Sequence, residues 1–183
     1  MDMHEKATLD FINNSPHSRL YSRLMGDDGK YFSAIHHIRV NRPKLILEYG
    51  GGRSTFIISK ILDELNYGGK IISFEENKEF YDYHIEEGSN EYNNIVYIED
   101  TIIDGIFFTY THDLEPYKDV EFIIIDGPDE RVTKTAVTLN LELFVDYLGK
   151  EIPYFVDSRG GCVEYYRDVK NYKLEAIDVK KSN

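Results

Sequence analysis

The sequence predicts an α/β fold in which helices cover both faces of a doubly wound, mostly parallel sheet. Short apolar segments alternate with amphipathic ones from residue 44 onward, which is the pattern of repeated strand–helix–strand units. Residues 120–125 (VEFIII) are apolar on both faces, as is typical of a central strand in a parallel sheet. The chain has 183 residues, so one domain (1–183) is expected.

The N-terminal part of the chain is predicted to be helical and to precede the sheet. Residues 3–14 and 31–41 show helical patterning, and a polar loop containing Gly26 and Gly29 is expected between them. Residues 1–42 therefore form an N-terminal helical segment, and residues 43–183 form the core. Pro43 marks the border, because proline prevents a helix from continuing into the strand that follows.

The core elements follow in order, and each has its own signal. Residues 44–49 (KLILEY) form an apolar strand, and the helix after it has apolar side chains at helical spacing, with Ser54 as its cap. Further strands are predicted at residues 70–74, 94–98, 120–125, 153–156 and 174–179. Further helices are predicted at residues 78–88, 131–148 and 164–171. We expect the strand order 3-2-1-4-5 plus an edge strand, with no segment assigned to an additional antiparallel strand pair.

Composition excludes several classes of function. The formal net charge of −12 disfavours binding to nucleic acid and to anionic membranes. The one cysteine, Cys162, allows neither an intrachain disulfide nor a cysteine-based zinc cluster. The sequence contains no apolar run of membrane-spanning length, and its start lacks the pattern of a secretory signal. We therefore expect a cytoplasmic protein, with homo-oligomerisation left open.

The glycine turn after the first strand is the strongest functional signal. Glu48-Tyr49 is followed by Gly50, Gly51 and Gly52, and the next helix begins with Ser54 and Thr55. Ligands of doubly wound sheets bind beyond the carboxyl ends of the strands, and a helix N-terminus there favours anionic groups. The turn therefore predicts a ligand site for a pyrophosphate or a carboxylate.

Acidic residues after the next strands narrow the choice of ligand. Glu75 lies about 20 residues after the last glycine, where nucleoside-binding folds have an acceptor for the ribose hydroxyls. Thr55 replaces the third glycine expected for a dinucleotide, and Glu48 would repel a pyrophosphate. Asp100 follows the third strand, where it could accept a hydrogen bond from an adenine amine. These residues favour S-adenosylmethionine over a dinucleotide.

Four motifs in this order resemble the class I, Rossmann-like S-adenosylmethionine-dependent methyltransferases. They are ILEYGGGRST, ISFEENKEF, NIVYIEDT and FIIIDGP, and the resemblance covers roughly residues 31 to 160. Within that superfamily the chain is similar to a small, poorly characterised subgroup, some of whose members are linked to sugar or secondary metabolism. The resemblance implies S-adenosylmethionine as cofactor and S-adenosylhomocysteine as product.

The resemblance also implies roles for individual residues. Glu48 would bind the ammonium group of the cofactor, and Glu75, with Glu76 as its register alternative, would hold the ribose. Asp126 would lie at the methyl-transfer end. The remaining cofactor contacts are implied at the glycine turn, the helix start and the loop after the third strand: Gly50, Gly51, Gly52, Ser54, Thr55, Asp100 and Thr101.

Catalytic candidates are expected where the fourth and fifth strands end. Asp126 and Asp157 could act as bases or hold the acceptor, and Arg159 could bind an anionic or sugar substrate. Acids after these strands hold magnesium in metal-dependent O-methyltransferases, but Ser158 replaces the asparagine that usually follows the second acid. A divalent metal therefore stays an alternative that we do not favour, and no metal ligands are assigned.

The sequence thus predicts an S-adenosylmethionine-dependent methyltransferase that acts on a hydroxyl group of a small molecule or sugar. Two alternatives remain open at this point. One is an NAD(P)-dependent oxidoreductase, and the other is a non-catalytic subunit that binds S-adenosylmethionine or a nucleoside.

Overall fold

The computed structural model describes residues 2–26, 29–88, 90–129, 133–157 and 160–170, with the backbone alone at residues 87 and 88. Its strands are β1 (Leu45–Tyr49), β2 (Lys70–Glu75), β3 (Asn93–Tyr97), β4 (Thr101–Asp104), β5 (Phe107–Tyr110), β6 (Phe122–Ile125), β7 (Val137–Thr138) and β8 (Tyr154–Val156). Its α-helices are α1 (Met3–Asn14), α2 (Ser18–Met25), α3 (Phe32–Asn41), α4 (Arg53–Leu65), α5 (Lys78–Gly88), α6 (Asn140–Leu148) and α7 (Gly160–Glu164). A 3-10 turn (Glu115–Tyr117) and a π-helical turn (Tyr165–Val169) complete the elements.

The main sheet has five parallel strands in the order β3-β2-β1-β6-β8. Numbered within this sheet alone, the order is 3-2-1-4-5, so the predicted fold class and strand order are confirmed. The expected edge strand at 174–179 lies outside the described residues.

The register of the sheet determines where the site forms. Tyr49 at the end of β1 pairs with Phe74 near the end of β2 and with Ile125 at the end of β6, and Ile125 pairs with Val156 of β8. The residues that follow these strand ends therefore emerge at one edge of the sheet, at the switch point between β2-β1 and β6.

Both faces of the sheet are buried against helices. In β1, Ile46 packs into a cluster with α1, α2, α3 and α4, whereas Leu47 packs into a second cluster with α6 and β5. Neighbouring side chains of a strand point to opposite faces, so a strand covered on both sides needs a continuous apolar run. All four residues of β6 (FIII) are buried for the same reason.

The N-terminal segment contains one more helix than predicted. The expected loop between residues 14 and 31 includes α2, which is fastened to the core by Tyr21. The Tyr21 side chain is fully buried, and its hydroxyl donates a 2.7 Å hydrogen bond to Oε2 of Glu64 on α4. The apolar residues Leu20, Tyr21, Leu24 and Met25 lie at helical spacing and pack into the core, so α2 is an amphipathic helix that the sequence analysis overlooked.

A small second sheet corrects the prediction of one long helix over residues 131–148. Strands β4 and β5 form an antiparallel hairpin, and β7 pairs in parallel with β5 through Phe107 and Val137. Residues 137–138 are therefore a strand, and α6 begins only at Asn140. The Asn140 side chain bonds both the backbone N–H and the carbonyl of Tyr110, each at 2.9 Å, and so ties the helix start to β5.

The predicted helix at 164–171 is also corrected. It begins earlier, as α7, and continues as the π-helical turn, while residue 171 lies outside the described range. Across the described part of the chain, no helix combines the length and apolar character needed to cross a membrane.

Candidate functional site

A cavity of about 640 Å³ lies at the carboxyl edge of the main sheet, within the size range of small-molecule sites. Its wall combines the segments that follow β1, β2, β6 and β8 with the part of the N-terminal segment that carries Arg23, Leu24 and Tyr31. The cavity thus brings together residues from four strand ends and from a segment that precedes the sheet in sequence.

The glycine turn is required by a close approach between two backbones. Gly50 has a φ of +92°, and a Cβ there would lie 2.3 Å from the Cα of Gly127. A Cβ on Gly127 would lie 2.5 Å from the Cα of Gly50 and 2.2 Å from the hydroxyl oxygen of Tyr110. The turns after β1 and β6 can therefore meet only because both residues are glycine.

The amide groups of the turn are used within the protein. The N–H groups of Gly50 and Gly51 donate to the carbonyl of Phe74 at 2.9 and 3.0 Å, and the N–H of Gly52 donates to Oγ1 of Thr55 at 2.9 Å. These bonds hold the turn to β2 and to the first turn of α4. Gly50, Gly51, Gly52 and Ser54 all line the cavity as predicted, with Ser54 offering a hydroxyl there.

Glu48 supports the glycine turn through buried hydrogen bonds and is not among the residues that line the cavity. Its carboxylate is fully buried, and Oε2 accepts hydrogen bonds from the hydroxyls of Thr55 and Ser73. Burial raises the pKa of Glu48. Its second oxygen, Oε1, is buried without a hydrogen-bond partner among the described residues. The predicted cofactor contacts of Glu48 and Thr55 stay predictions, and both residues have a structural role in the turn.

Glu75, the last residue of β2, and Glu76 directly after it both line the cavity. Glu75 is 4% exposed, and its Oε1 accepts a 2.8 Å hydrogen bond from the N–H of Asn77. Burial and the adjacent negative charge of Glu76 raise the pKa of Glu75 to about 8. Glu76 accepts a 2.7 Å hydrogen bond from the hydroxyl of Tyr110. The structure therefore places both register alternatives in the same wall.

Asp126 lies at the centre of the strand edge and is paired with a tyrosine that the sequence analysis missed. The hydroxyl of Tyr31 donates a 2.6 Å hydrogen bond to Oδ2 of Asp126, and the hydroxyl of Ser54 lies 3.4 Å from the same oxygen. The Tyr31 ring packs on Phe155 of β8 at a centroid distance of 4.7 Å. Burial, reinforced by the charge of Asp126, raises the pKa of Tyr31. With 15 tyrosines in the chain, no local pattern singles this one out.

Asp157 and Asp129 are two further acids that line the cavity. Asp157 follows β8, its N–H donates to the carbonyl of Ile125 at 2.8 Å, and its Oδ1 is buried without a hydrogen-bond partner among the described residues. Arg159 lies outside the described residues, and its predicted contact with substrate stays a prediction.

Asp100 and Thr101 are not among the described residues that line the cavity. Asp100 is exposed, and its carbonyl accepts a 3.0 Å hydrogen bond from the N–H of Thr111. Thr101 begins the hairpin of β4 and β5, which the sequence analysis did not assign. The predicted adenine contact at these positions stays a prediction.

The cavity wall is rich in carboxylates. Among its described residues are two arginines, Arg23 and Arg53, and five acids: Glu75, Glu76, Asp126, Asp129 and Asp157. Within the described ranges, no group of three or more His, Cys, Asp or Glu side chains is placed to hold a metal ion. The acids outnumber the arginines even with Glu75 uncharged, so the wall has a negative potential that favours cationic and hydrogen-bond-donating ligands.

Comparisons with known proteins find likeness only among solved structures. No protein-family model matches the chain, and no curated protein matches it. A Klebsiella pneumoniae protein proposed to be an O-methyltransferase is 15% identical, with a TM-score of 0.45 over 97% of this chain and 72% of that one. The methyltransferase PaMTH1 of Podospora anserina, bound to S-adenosylhomocysteine, is 11% identical, with a TM-score of 0.42 over 99% and 70%.

A third structure of this kind is the O-methyltransferase from Bacillus cereus in complex with S-adenosylhomocysteine. It is 16% identical, with a TM-score of 0.37 over 83% of this chain and 62% of that one. At TM-scores of 0.45 and below, these likenesses carry no residue roles to this chain.

Proposed function

We propose that this protein is an S-adenosylmethionine-dependent methyltransferase, and that its acceptor is a hydroxyl group of a small molecule or sugar. The observation that carries the proposal is the carboxylate-rich cavity at the switch point of the sheet, where the glycine turn, Glu75 and Asp126 meet. The motif resemblance adds to it, since the same residues belong to the motifs ILEYGGGRST, ISFEENKEF and FIIIDGP.

The charge of the cavity wall favours S-adenosylmethionine over a dinucleotide as the ligand. S-adenosylmethionine carries a sulfonium and an ammonium group against one carboxylate, whereas the pyrophosphate of NAD is a dianion. A cavity with five acids and two arginines attracts the first and repels the second. The Gly50, Gly51 and Gly52 amides are also engaged within the protein, so the usual donors to a pyrophosphate are already used.

The cavity residues fit the parts of the cofactor. Glu75 would accept hydrogen bonds from the ribose hydroxyls, and the Ser54 hydroxyl with the Arg53 guanidinium would hold the carboxylate. Asp126, Asp129 and Asp157 would face the cationic centre and the acceptor. When bound, S-adenosylmethionine supplies an electrophilic methyl group for transfer.

Two acids, Asp126 and Asp157, are the candidates for binding the acceptor. Asp126 and Asp157 end adjacent strands and line the same cavity, so their carboxylates can accept hydrogen bonds from an acceptor hydroxyl. Either carboxylate can take the hydroxyl proton during methyl transfer. This capacity to accept hydrogen bonds from hydroxyl groups fits our proposal of O-methylation of a small molecule or sugar.

Calorimetry with S-adenosylmethionine, S-adenosylhomocysteine and NAD tests the proposal. We expect both sulfur compounds to bind and NAD to bind far more weakly. Binding of NAD alone would contradict the proposal and favour an oxidoreductase. If the sulfur compounds bind, incubation with labelled S-adenosylmethionine and a panel of polyols, sugars and phenols follows. Absence of transfer to every acceptor would favour a non-catalytic binding subunit.

A further inference from the structure

We propose that Tyr31 is a positioning residue that holds Asp126 so that the pair distinguishes the charged cofactor from its neutral product. This inference rests on the proposed function and extends it to a residue of the N-terminal segment. S-adenosylmethionine has a positive sulfonium at the centre where S-adenosylhomocysteine has an uncharged thioether. A carboxylate fixed near that centre binds the first more strongly and so favours exchange of product for fresh cofactor.

The geometry of Tyr31 suits this role. Its side chain is 5% exposed and packs on Phe155, so the hydroxyl has little freedom to move away from Asp126. The O–H donates to Oδ2 at 2.6 Å, which is the short distance typical of a hydrogen bond to a charged acceptor. Such a bond favours the ionised carboxylate and fixes its orientation.

Asp126 shares the cavity wall with other acids, and its carboxylate is oriented by hydrogen bonds. Glu75, Asp129 and Asp157 line the same cavity, and Glu48 lies beneath the glycine turn. The Tyr31 hydroxyl donates to Oδ2 of Asp126 at 2.6 Å and the Ser54 hydroxyl at 3.4 Å, so these donors fix the orientation of the carboxylate within a wall of acids. Tyr31 gives the shorter of these two bonds.

The pair also links two parts of the chain. Tyr31 directly precedes α3, and Asp126 follows β6, so the hydrogen bond joins the N-terminal segment to the middle of the sheet edge. The cofactor cavity is therefore completed by a residue outside the predicted core of residues 43–183.

Calorimetry on Tyr31→Phe tests the proposal, with three ligands: S-adenosylmethionine, S-adenosylhomocysteine and sinefungin, whose amine replaces the sulfonium. We expect affinity for the two cationic ligands to fall about tenfold, and affinity for S-adenosylhomocysteine to change less than about twofold. Tyr67→Phe is the control, because the Tyr67 hydroxyl also donates a hydrogen bond, to the carbonyl of Pro43 at 3.0 Å, and Tyr67 is not among the residues that line the cavity. It should leave all three affinities unchanged.

If the Tyr31→Phe variant fails to fold, Asp126→Asn tests the same inference. It should reduce the preference for the cationic ligands, and combining it with Tyr31→Phe should add little, since the two residues act as one unit. Equal weakening of all three ligands by Tyr31→Phe, or no weakening, would overturn this inference while leaving the proposed function intact. A wild-type protein that binds none of them would instead overturn the proposed function.

Discussion

At the residue scale, Glu75 combines a cost in stability with its proposed role in holding the ribose of the cofactor. Its folded-state pKa of about 8 lies above the ordinary value of 4.5, because burial and Glu76 disfavour the charge. Between these two values the folded protein binds more protons than the unfolded chain does. Its contribution to stability is therefore complete below about pH 4.5 and is lost as pH rises through about 8.

Glu75→Gln should separate the effect of Glu75 on stability from its effect on ligand binding. The neutral amide removes the cost of ionisation, so at pH 8 the ligand-free variant should be more stable than the wild type by about 1 kcal/mol or more, with little difference at pH 5. Affinity for S-adenosylmethionine should fall at least about tenfold, because an amide replaces the carboxylate as acceptor. Denaturant unfolding at both pH values and calorimetry measure this, and Glu79→Gln on the exposed side of α5 is the control. A less stable variant at pH 8 would contradict the assignment.

At the element scale, the contact between Gly50 and Gly127 joins the turns after β1 and β6. Gly127→Ala would place a methyl group 2.2 Å from the Tyr110 hydroxyl oxygen and 2.5 Å from the Cα of Gly50. We expect a loss of about 3 kcal/mol or more in the free energy of unfolding, and weaker ligand binding, because the turns must separate.

Gly160→Ala is the matched control for this contact. A Cβ at Gly160, the first residue of α7, would meet no atom within 4 Å, and its φ is not positive. Thermal unfolding of the two variants should therefore differ clearly, with the control close to the wild type. Similar stabilities would mean that the turns can move apart without cost.

At the scale of the whole molecule, the N-terminal segment and the sheet form one site. Arg23, Leu24 and Tyr31 line the same cavity as the glycine turn. S-adenosylmethionine should therefore slow hydrogen exchange in α2 and at the start of α3, as well as in the first turn of α4. Hydrogen exchange with mass spectrometry measures this, and α1 serves as the internal reference. Protection confined to residues beyond 42 would show that the N-terminal segment takes no part in binding.

The parallel core could be predicted because its signals are local. Continuous apolar runs such as residues 120–125 indicate buried strands, and Gly50, Gly51 and Gly52 indicate a tight turn before a helix. The parallel order follows from the handedness of strand–helix–strand units. Ser54, Glu75, Asp126 and Asp157 could be chosen for the site because each follows a strand end or opens a helix.

The remaining features depend on long-range contacts. Strand β7 forms because Val137 meets β5, so this two-residue strand could not be separated from a helix by sequence pattern. Helix α2 differs, since its apolar residues lie at helical spacing and its signal was overlooked. The amino-acid sequence by itself determined the parallel fold and the acids at its carboxyl edge, because strand ends of one sheet share an edge. Only the tertiary structure decided that Glu48 and Thr55 support the turn and that Asp100 lies outside the cavity. It also decided that Tyr31 reaches Asp126, because that contact joins residues 95 positions apart.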